Sequence, residues 1–184
     1  MNTTFEQFPT TIEERLEDLR RAREHLLQVV ESAAMDDAAT GTNPDQWSVA
    51  EIVFHLHLSE KGTLAGLKRT LALPGQGAMP DEKVLREEWE RIRTHVGARA
   101  VKVKSPLRVA PANAPRRSEA IALIRQSPQE LLATIQTVSY ENLLRVSMPH
   151  PFAALGVLTG AGWLSATAFH DLRHAEQIRE MKQS

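Results

Sequence analysis

The chain has 184 residues, 42% of them hydrophobic and 24% charged, with 22 Lys and Arg against 23 Asp and Glu. That length and composition describe one globular domain over residues 1–184, and the near-zero net charge excludes the large basic excess of a dedicated nucleic-acid binder. There is no cysteine, which excludes disulfide frameworks, thiolate zinc sites, iron–sulfur clusters and cysteine nucleophiles; any metal must be held by His, carboxylate or carbonyl groups.

The opening stretch, MNTTFEQFPTTIEERLEDLRRAREHLL, has neither the basic n-region nor the apolar h-region of a signal peptide. No apolar run approaches the roughly 18 residues that cross a bilayer. The expectation is a cytoplasmic protein with no membrane partner. From about Thr11 to Ala33, Ile12, Leu16, Leu19, Leu26, Val29 and Val30 recur at helical spacing, with Glu13, Arg20, Arg21 and Glu24 on the other face. Asp36-Asp37 reads as a solvated turn, and Gly41-Thr42-Asn43-Pro44-Asp45 breaks the pattern.

The next helix opens at Ser48. Glu51 three residues later completes a capping box, in which each side chain satisfies a free backbone N–H of the first turn. Pro74-Gly75 should stop it near Leu73, and a more charged helix follows Pro80-Asp81 and ends near Gly97. From Arg91 to Ser118 there are eight basic residues and no acidic one, whereas residues 1–60 carry twelve acidic and four basic side chains. Lys102 to Pro115 holds three prolines and reads as an extended loop. It either lies solvated against the acidic helix or offers its cations to an anion or to an acidic partner segment. A further helix spans about Ser118 to Val138. Met148 to Phe152 is irregular, and the last helix starts after Thr159, its N-cap, and runs to Met181. No segment alternates in the manner of a strand, so the fold class is all-α, a bundle of up to six helices with four of them long.

Seven histidines stand at 25, 55, 57, 95, 150, 170 and 174. His170 and His174 project from one helical face one turn apart, a spacing that lets two imidazoles reach one ion. Alone it is equally a capping imidazole beside a solvated one. That face also carries Trp163, Thr167 and Gln177, which is not the Leu/Ile/Ala stripe of a plain core. On the second helix His55 shares a face with Ile52, Leu58 and Ser59 and points inward. His57 lies about 200° round and is read as a surface or interface residue. Three imidazoles from two helices would leave part of an ion's coordination open to water or substrate. They suit Zn, Ni, Cu or Fe(II) rather than Mg or Ca. Glu51, Ser59 and Gln177 are candidates to orient the rings.

Trp47-Ser48-Val49-Ala50-Glu51-Ile52-Val53-Phe54-His55-Leu56 with Glu60, His150-Pro151, Leu158-Thr159, Trp163-Leu164, and His170-Asp171-Leu172-Arg173-His174-Ala175-Glu176-Gln177-Ile178 resemble the motifs of the DinB-like (YfiT-like) metalloprotein superfamily, not the DNA polymerase that shares the name. The resemblance implies a four-helix bundle of up-down-down-up topology with one or two extra short helices. It implies a divalent metal, Zn or Ni first and Fe or Mn after them, on His55, His170 and His174. It also implies a homodimer acting on a small molecule, either as a hydrolase or as a thiol S-transferase using bacillithiol, mycothiol or glutathione. Trp163, Thr167, Gln177, His150 and Ser59 are the candidate substrate-pocket residues. A non-catalytic metal-binding or ligand-sensing bundle is the alternative, and a fourth protein ligand, His150 first, would favour it.

Overall fold

A computed structural model describes residues 5–33, 47–73, 77–97 and 107–181. The breaks expected at Gly41–Asp45 and Pro74-Gly75, the Asp36-Asp37 turn and the Lys102–Pro106 part of the loop lie outside them. The four long helices are α1 (Ile12–Glu31), α2 (Val49–Leu71), α4 (Arg117–Gln136) and α6 (Gly160–Met181). Between them lie α3 (Glu82–Ile92), which runs into a π-helical turn at Arg93–Gly97, and the short α5 (Tyr140–Arg145). Among the described residues no helix is long and apolar enough to cross a membrane.

The helix starts follow local chemistry. Thr11 and Glu14 form a capping box on α1, and Ser48 and Glu51 form the expected one on α2. The Thr159 hydroxyl accepts from Gly162 N at 2.8 Å at the start of α6. There it is reinforced by Glu88 of α3, whose carboxylate takes the Thr159 N–H at 2.6 Å and hydroxyl at 2.8 Å. A buried carboxylate at a helix N-terminus is electrostatically well placed, because the first-turn N–H groups point at it. A Cβ on Gly162 would run into that carboxylate, so a larger residue there requires Glu88 to shift.

Contacts between named residues fix the topology. Arg15 meets Ser165 and Arg23 meets Asp171, so α1 and α6 run parallel. His55 meets His170 while Leu67 lies against Gly160, so α2 runs antiparallel to α6. Arg117 donates to the Val30 carbonyl and Arg23 donates to the Ile124 carbonyl, so α4 runs antiparallel to α1 and parallel to α2. The order is up-down-down-up. The expectation of no sheet needs one correction. Residues Ser147–Pro149 (β1) and Val157–Thr159 (β2) form an antiparallel ribbon, with Met148 opposite Leu158 on its buried side. Strands of three residues are too short to show a period of two, which is why the sequence pattern does not reveal them.

Two apolar clusters fill the bundle. One, around Leu67, Trp89, Leu131, Leu158 and Phe169, lies towards the α3 end, and the other, around Leu26, Ile52, Ile124, Ala175 and Ile178, lies towards the end that holds the histidines. Between them one guanidinium ties the four long helices together. Arg23 of α1 donates to Asp171 of α6 at 2.7 Å, to Glu60 of α2 at 2.7 Å and to the Ile124 carbonyl of α4 at 2.6 Å. That carbonyl is available because Pro128, four residues on, has no N–H to give it. Burial raises the pKa of both carboxyls against the pull of Arg23, and among the described residues Glu60 Oε1 finds no partner.

Candidate metal centre

Helices α2 and α6 meet where His55 faces His170 and His174. His55 Nε2 stands 3.3 Å from His170 Nε2, and His174 Nε2 stands 3.0 Å from the same atom. Four nitrogens arranged tetrahedrally at 2.0–2.1 Å from an ion would be about 3.3–3.4 Å apart, so these separations are close to the edges of such a polyhedron. The three ligand atoms all lie within 4.8 Å of one another, and among the described residues no fourth His, Asp or Glu joins them.

The outer ring nitrogens decide the tautomers. His55 Nδ1 is 2.8 Å from the Val109 carbonyl, and His174 Nδ1 is 2.8 Å from Gln177 Oε1. Both oxygens accept, so both Nδ1 atoms carry hydrogen and both Nε2 atoms present bare lone pairs inward. A neutral His170 can donate to one of them at most. The arrangement therefore points two or three lone pairs at one spot, which is repulsive unless a cation sits among them. Burial holds the pKa of His55 below its ordinary value, against the Val109 carbonyl. Burial and the neighbouring imidazoles hold that of His170 well below. Both rings are neutral at physiological pH, as ligation requires. His55 and His174 are buried, and the Trp47 indole covers His55 with ring centroids 4.8 Å apart. His170 is half-buried, the least covered of the three.

The other expected site residues divide. Gln177 orients His174, as described. Thr167 is buried and its hydroxyl donates to the Trp163 carbonyl at 2.9 Å within its own helix, so its proton is already committed. Trp163 carries the His150 ring, centroids 4.8 Å apart, and donates to the Met148 carbonyl at 3.3 Å. His150 Nδ1 accepts from Phe152 N–H at 3.0 Å. Ser59 is half-buried one turn beyond His55 and makes no hydrogen bond to the three rings. Glu51 is not an orienting residue, because its carboxylate is used in the Ser48 cap at 2.7 Å. His57, read as a surface or interface residue, is half-buried where α2 meets α4: it meets Ser127 at 2.6 Å and stacks on Phe54.

Sequence reasoning missed the Val109 carbonyl, which comes from the described end of the basic loop, a 3-10 turn at Leu107–Val109. A main-chain acceptor delivered by a loop leaves no mark in side-chain periodicity. It missed the buried set Arg23, Glu60 and Asp171 as well, although a signal existed. Each is the one charged residue in an otherwise apolar stripe, between Leu19 and Leu26, between Leu56 and Leu64, and between Ala168 and Ala175.

Among solved structures the chain is similar to YfiT from Bacillus subtilis, described as a probable metal-dependent hydrolase with an unusual four-helix bundle topology. The two share 18% identity over 98% of this chain and 92% of that one, with a TM-score of 0.60, a likeness of fold. No curated protein matches the sequence. The profile of the DinB superfamily matches residues 18–178, a span that takes in α2 and α4, most of α1 and α6 and the three converging histidines, and the chain belongs to that superfamily.

Proposed function

We propose that the protein is a metal-dependent hydrolase whose divalent ion is held by the Nε2 atoms of His55, His170 and His174. The observation that carries this reading is the pair of Nδ1–H groups committed to carbonyl oxygens while three Nε2 atoms face one another. An all-imidazole set suits Zn or Ni first, with Fe or Mn after them. Such an ion would supply an activated water at neutral pH and polarise a carbonyl or phosphoryl oxygen. The protein's share is positional. Val109 and Gln177 fix two rings and raise their basicity, burial keeps His55 and His170 uncharged, Trp47 covers one flank, and the side of the half-buried His170 is where a small-molecule substrate would approach.

A structural ion is normally closed by four protein ligands. The lack of a fourth among the described residues supports catalysis over a metal that merely pins α2 to α6 or senses a ligand. A second reading uses the same side for a thiol. The chain has no cysteine, so the thiol would arrive on bacillithiol, mycothiol or glutathione, and the protein would be a thiol S-transferase. The functional unit in either reading is a homodimer. The test is elemental analysis of the purified protein, then turnover of an ester and amide panel and of each thiol with an electrophile, before and after chelation. One divalent ion per chain with chelator-sensitive hydrolysis is the expected result. Turnover that requires a thiol selects the transferase reading, and a protein that takes up no stoichiometric metal refutes both.

A further inference from the structure

The β1–β2 ribbon holds one imidazole that the metal centre does not use. His150 stands just past β1, and its main-chain N–H donates to the Gly156 carbonyl at 2.8 Å, closing the loop between the strands. The ring is fixed on two further sides. Its Nδ1 accepts the Phe152 N–H at 3.0 Å, and its face rests on the Trp163 indole, with centroids 4.8 Å and planes 33° apart. The indole is itself fixed by its bond to the Met148 carbonyl at 3.3 Å. Because Nδ1 accepts, the neutral ring carries its proton on Nε2, and among the described residues that N–H has no acceptor. His150 is half-buried, and its Nε2 is not sealed from solvent. Burial pushes its pKa down to about 4, so the ring stays neutral at physiological pH.

Trp163 ties this donor to the three-histidine centre. It lies seven residues before His170 on α6, so both side chains leave the same face, about 10 Å apart along the helix axis. Thr167 lies between them with its hydroxyl already spent on the Trp163 carbonyl. After burial and the two other imidazoles of the centre, His150 is among the groups that hold the pKa of His170 low, which fits this placement. We propose that the Nε2–H of His150 is a substrate-binding donor, taking a neutral carbonyl oxygen at one end of an elongated substrate whose other end lies at His55, His170 and His174. The donor sets the class of acceptor. A single neutral N–H matches an amide or ester carbonyl, whereas carboxylates and phosphates are ordinarily taken by guanidinium or ammonium groups. The separation along α6 sets the length, since a molecule of a few atoms cannot engage points about 10 Å apart. The end held at the ion depends on the metal-dependent reading, whereas the donor at His150 depends on the ribbon alone.

The probes are alkyl hydroxamates of increasing chain length that end in a primary carboxamide, with plain alkyl hydroxamates of equal length as controls, on the full chain loaded with Co(II). The hydroxamate ligates the ion and the chain carries the carboxamide away from it. Affinity is read by calorimetry and by the visible d–d spectrum of the cobalt. In wild type the carboxamide should bind roughly 3–10-fold tighter than its control at one chain length and not at shorter ones, the size of one neutral hydrogen bond. His150→Phe keeps a ring on Trp163 and removes the donor. It should erase that gain while the plain hydroxamates and the cobalt content stay as in wild type. Nitrogen NMR of histidine-labelled wild type gives a second readout: the His150 proton should sit on Nε2, and the matched carboxamide should shift that resonance. No gain at any length, a gain that persists in His150→Phe, or a proton found on Nδ1 overturns the proposal. A protein that takes up no cobalt fails the metal reading instead. Acetamide titrated into the metal-free chain then decides the donor by the same resonance, a shift at His150 Nε2 supporting it and an unchanged resonance overturning it.

Discussion

Replacing Arg23 with Met removes three hydrogen bonds of 2.6–2.7 Å that reach three other helices. The side chains left behind are almost wholly buried, Asp171 at 1% and Glu60 at 2% exposure. Stripping the counter-ion from a buried pair costs about 3–5 kcal/mol, because a charge remains that neither water nor protein stabilises. The Ile124 carbonyl, without a helical donor because of Pro128, would add about 1–3 kcal/mol if nothing replaced Arg23. The two costs do not add fully, since the carboxyls can take up protons, and burial already favours that. A loss of about 4 kcal/mol is the working figure, a large part of the ~5–15 kcal/mol total stability of a domain. For a chain of this length about 2–4 °C of Tm accompanies each kcal/mol, so Arg23→Met should melt roughly 8–16 °C lower. Thermal and urea unfolding followed by circular dichroism would measure this, with the urea slope checked for constancy. The triple variant Arg23→Met, Glu60→Gln, Asp171→Asn removes the orphaned charges and should recover more than half of the loss. A single variant within about 3 °C of wild type, or a triple variant no more stable than the single, would refute the assignment of the cost to uncompensated charge.

Further outcomes follow from the same geometry. His174→Ala should abolish tight metal binding, by elemental analysis, while the helical spectrum is retained, since the apolar clusters do not depend on that ring. Gln177→Leu leaves His174 Nδ1 without its acceptor and should weaken metal affinity about 10–100-fold in a competition titration with a chelator. His150 has its pKa pushed down from 6.5 to about 4, by burial first and then by the charge of Arg108. The unfolded chain therefore binds a proton that the folded one refuses within that window, and the stabilisation present above pH 6.5 is lost as pH falls through it. Wild type should accordingly lose more stability on acidification than His150→Gln, as read by urea midpoints at several pH values, and parallel pH curves would contradict the assignment. Gly162→Ala should destabilise by about 1–3 kcal/mol, because the new Cβ displaces Glu88 from the Thr159 cap. A Tm within error of wild type would show that Glu88 moves aside freely.

The elements that the sequence discloses are those set by local rules. The Ser48–Glu51 capping box, the Thr159 cap and the one-turn spacing of His170 and His174 all appear where side-chain chemistry and helical period put them. His55 could be turned inward on the strength of Ile52 beside it. His57 could not be resolved in the same way, because its partner Ser127 belongs to a helix seventy residues away whose placement depends on the whole bundle. The misassignment of Glu51 has a similar cause: a helical face says which way a carboxylate points, not which of two nearby donors captures it, and the adjacent backbone N–H captured this one. The β1–β2 ribbon and the Val109 carbonyl are products of tertiary placement and leave no periodic trace.

Pro128 sits in the middle of a 20-residue helix, where its missing N–H and its ring ordinarily count only as damage. Here the freed Ile124 carbonyl works as an address. Helical surfaces of Leu, Ile and Ala permit neighbouring helices to slide by a turn with little change in apolar contact, so hydrophobic pattern alone specifies register weakly. In α4 the Ile124 carbonyl is the one that Pro128 releases, and in the facing part of α1 Arg23 is the buried donor that takes it. A slip of α4 in either direction would separate the two and leave a buried guanidinium and a buried carbonyl both short of a partner, much as a single buried polar residue fixes register in a coiled coil. Since Arg23 also holds Asp171, the neighbour of His170, and Glu60, five residues after His55, the register fixed by a proline on α4 carries through to how far α2 and α6 are shifted along each other, and so to the spacing of the imidazoles.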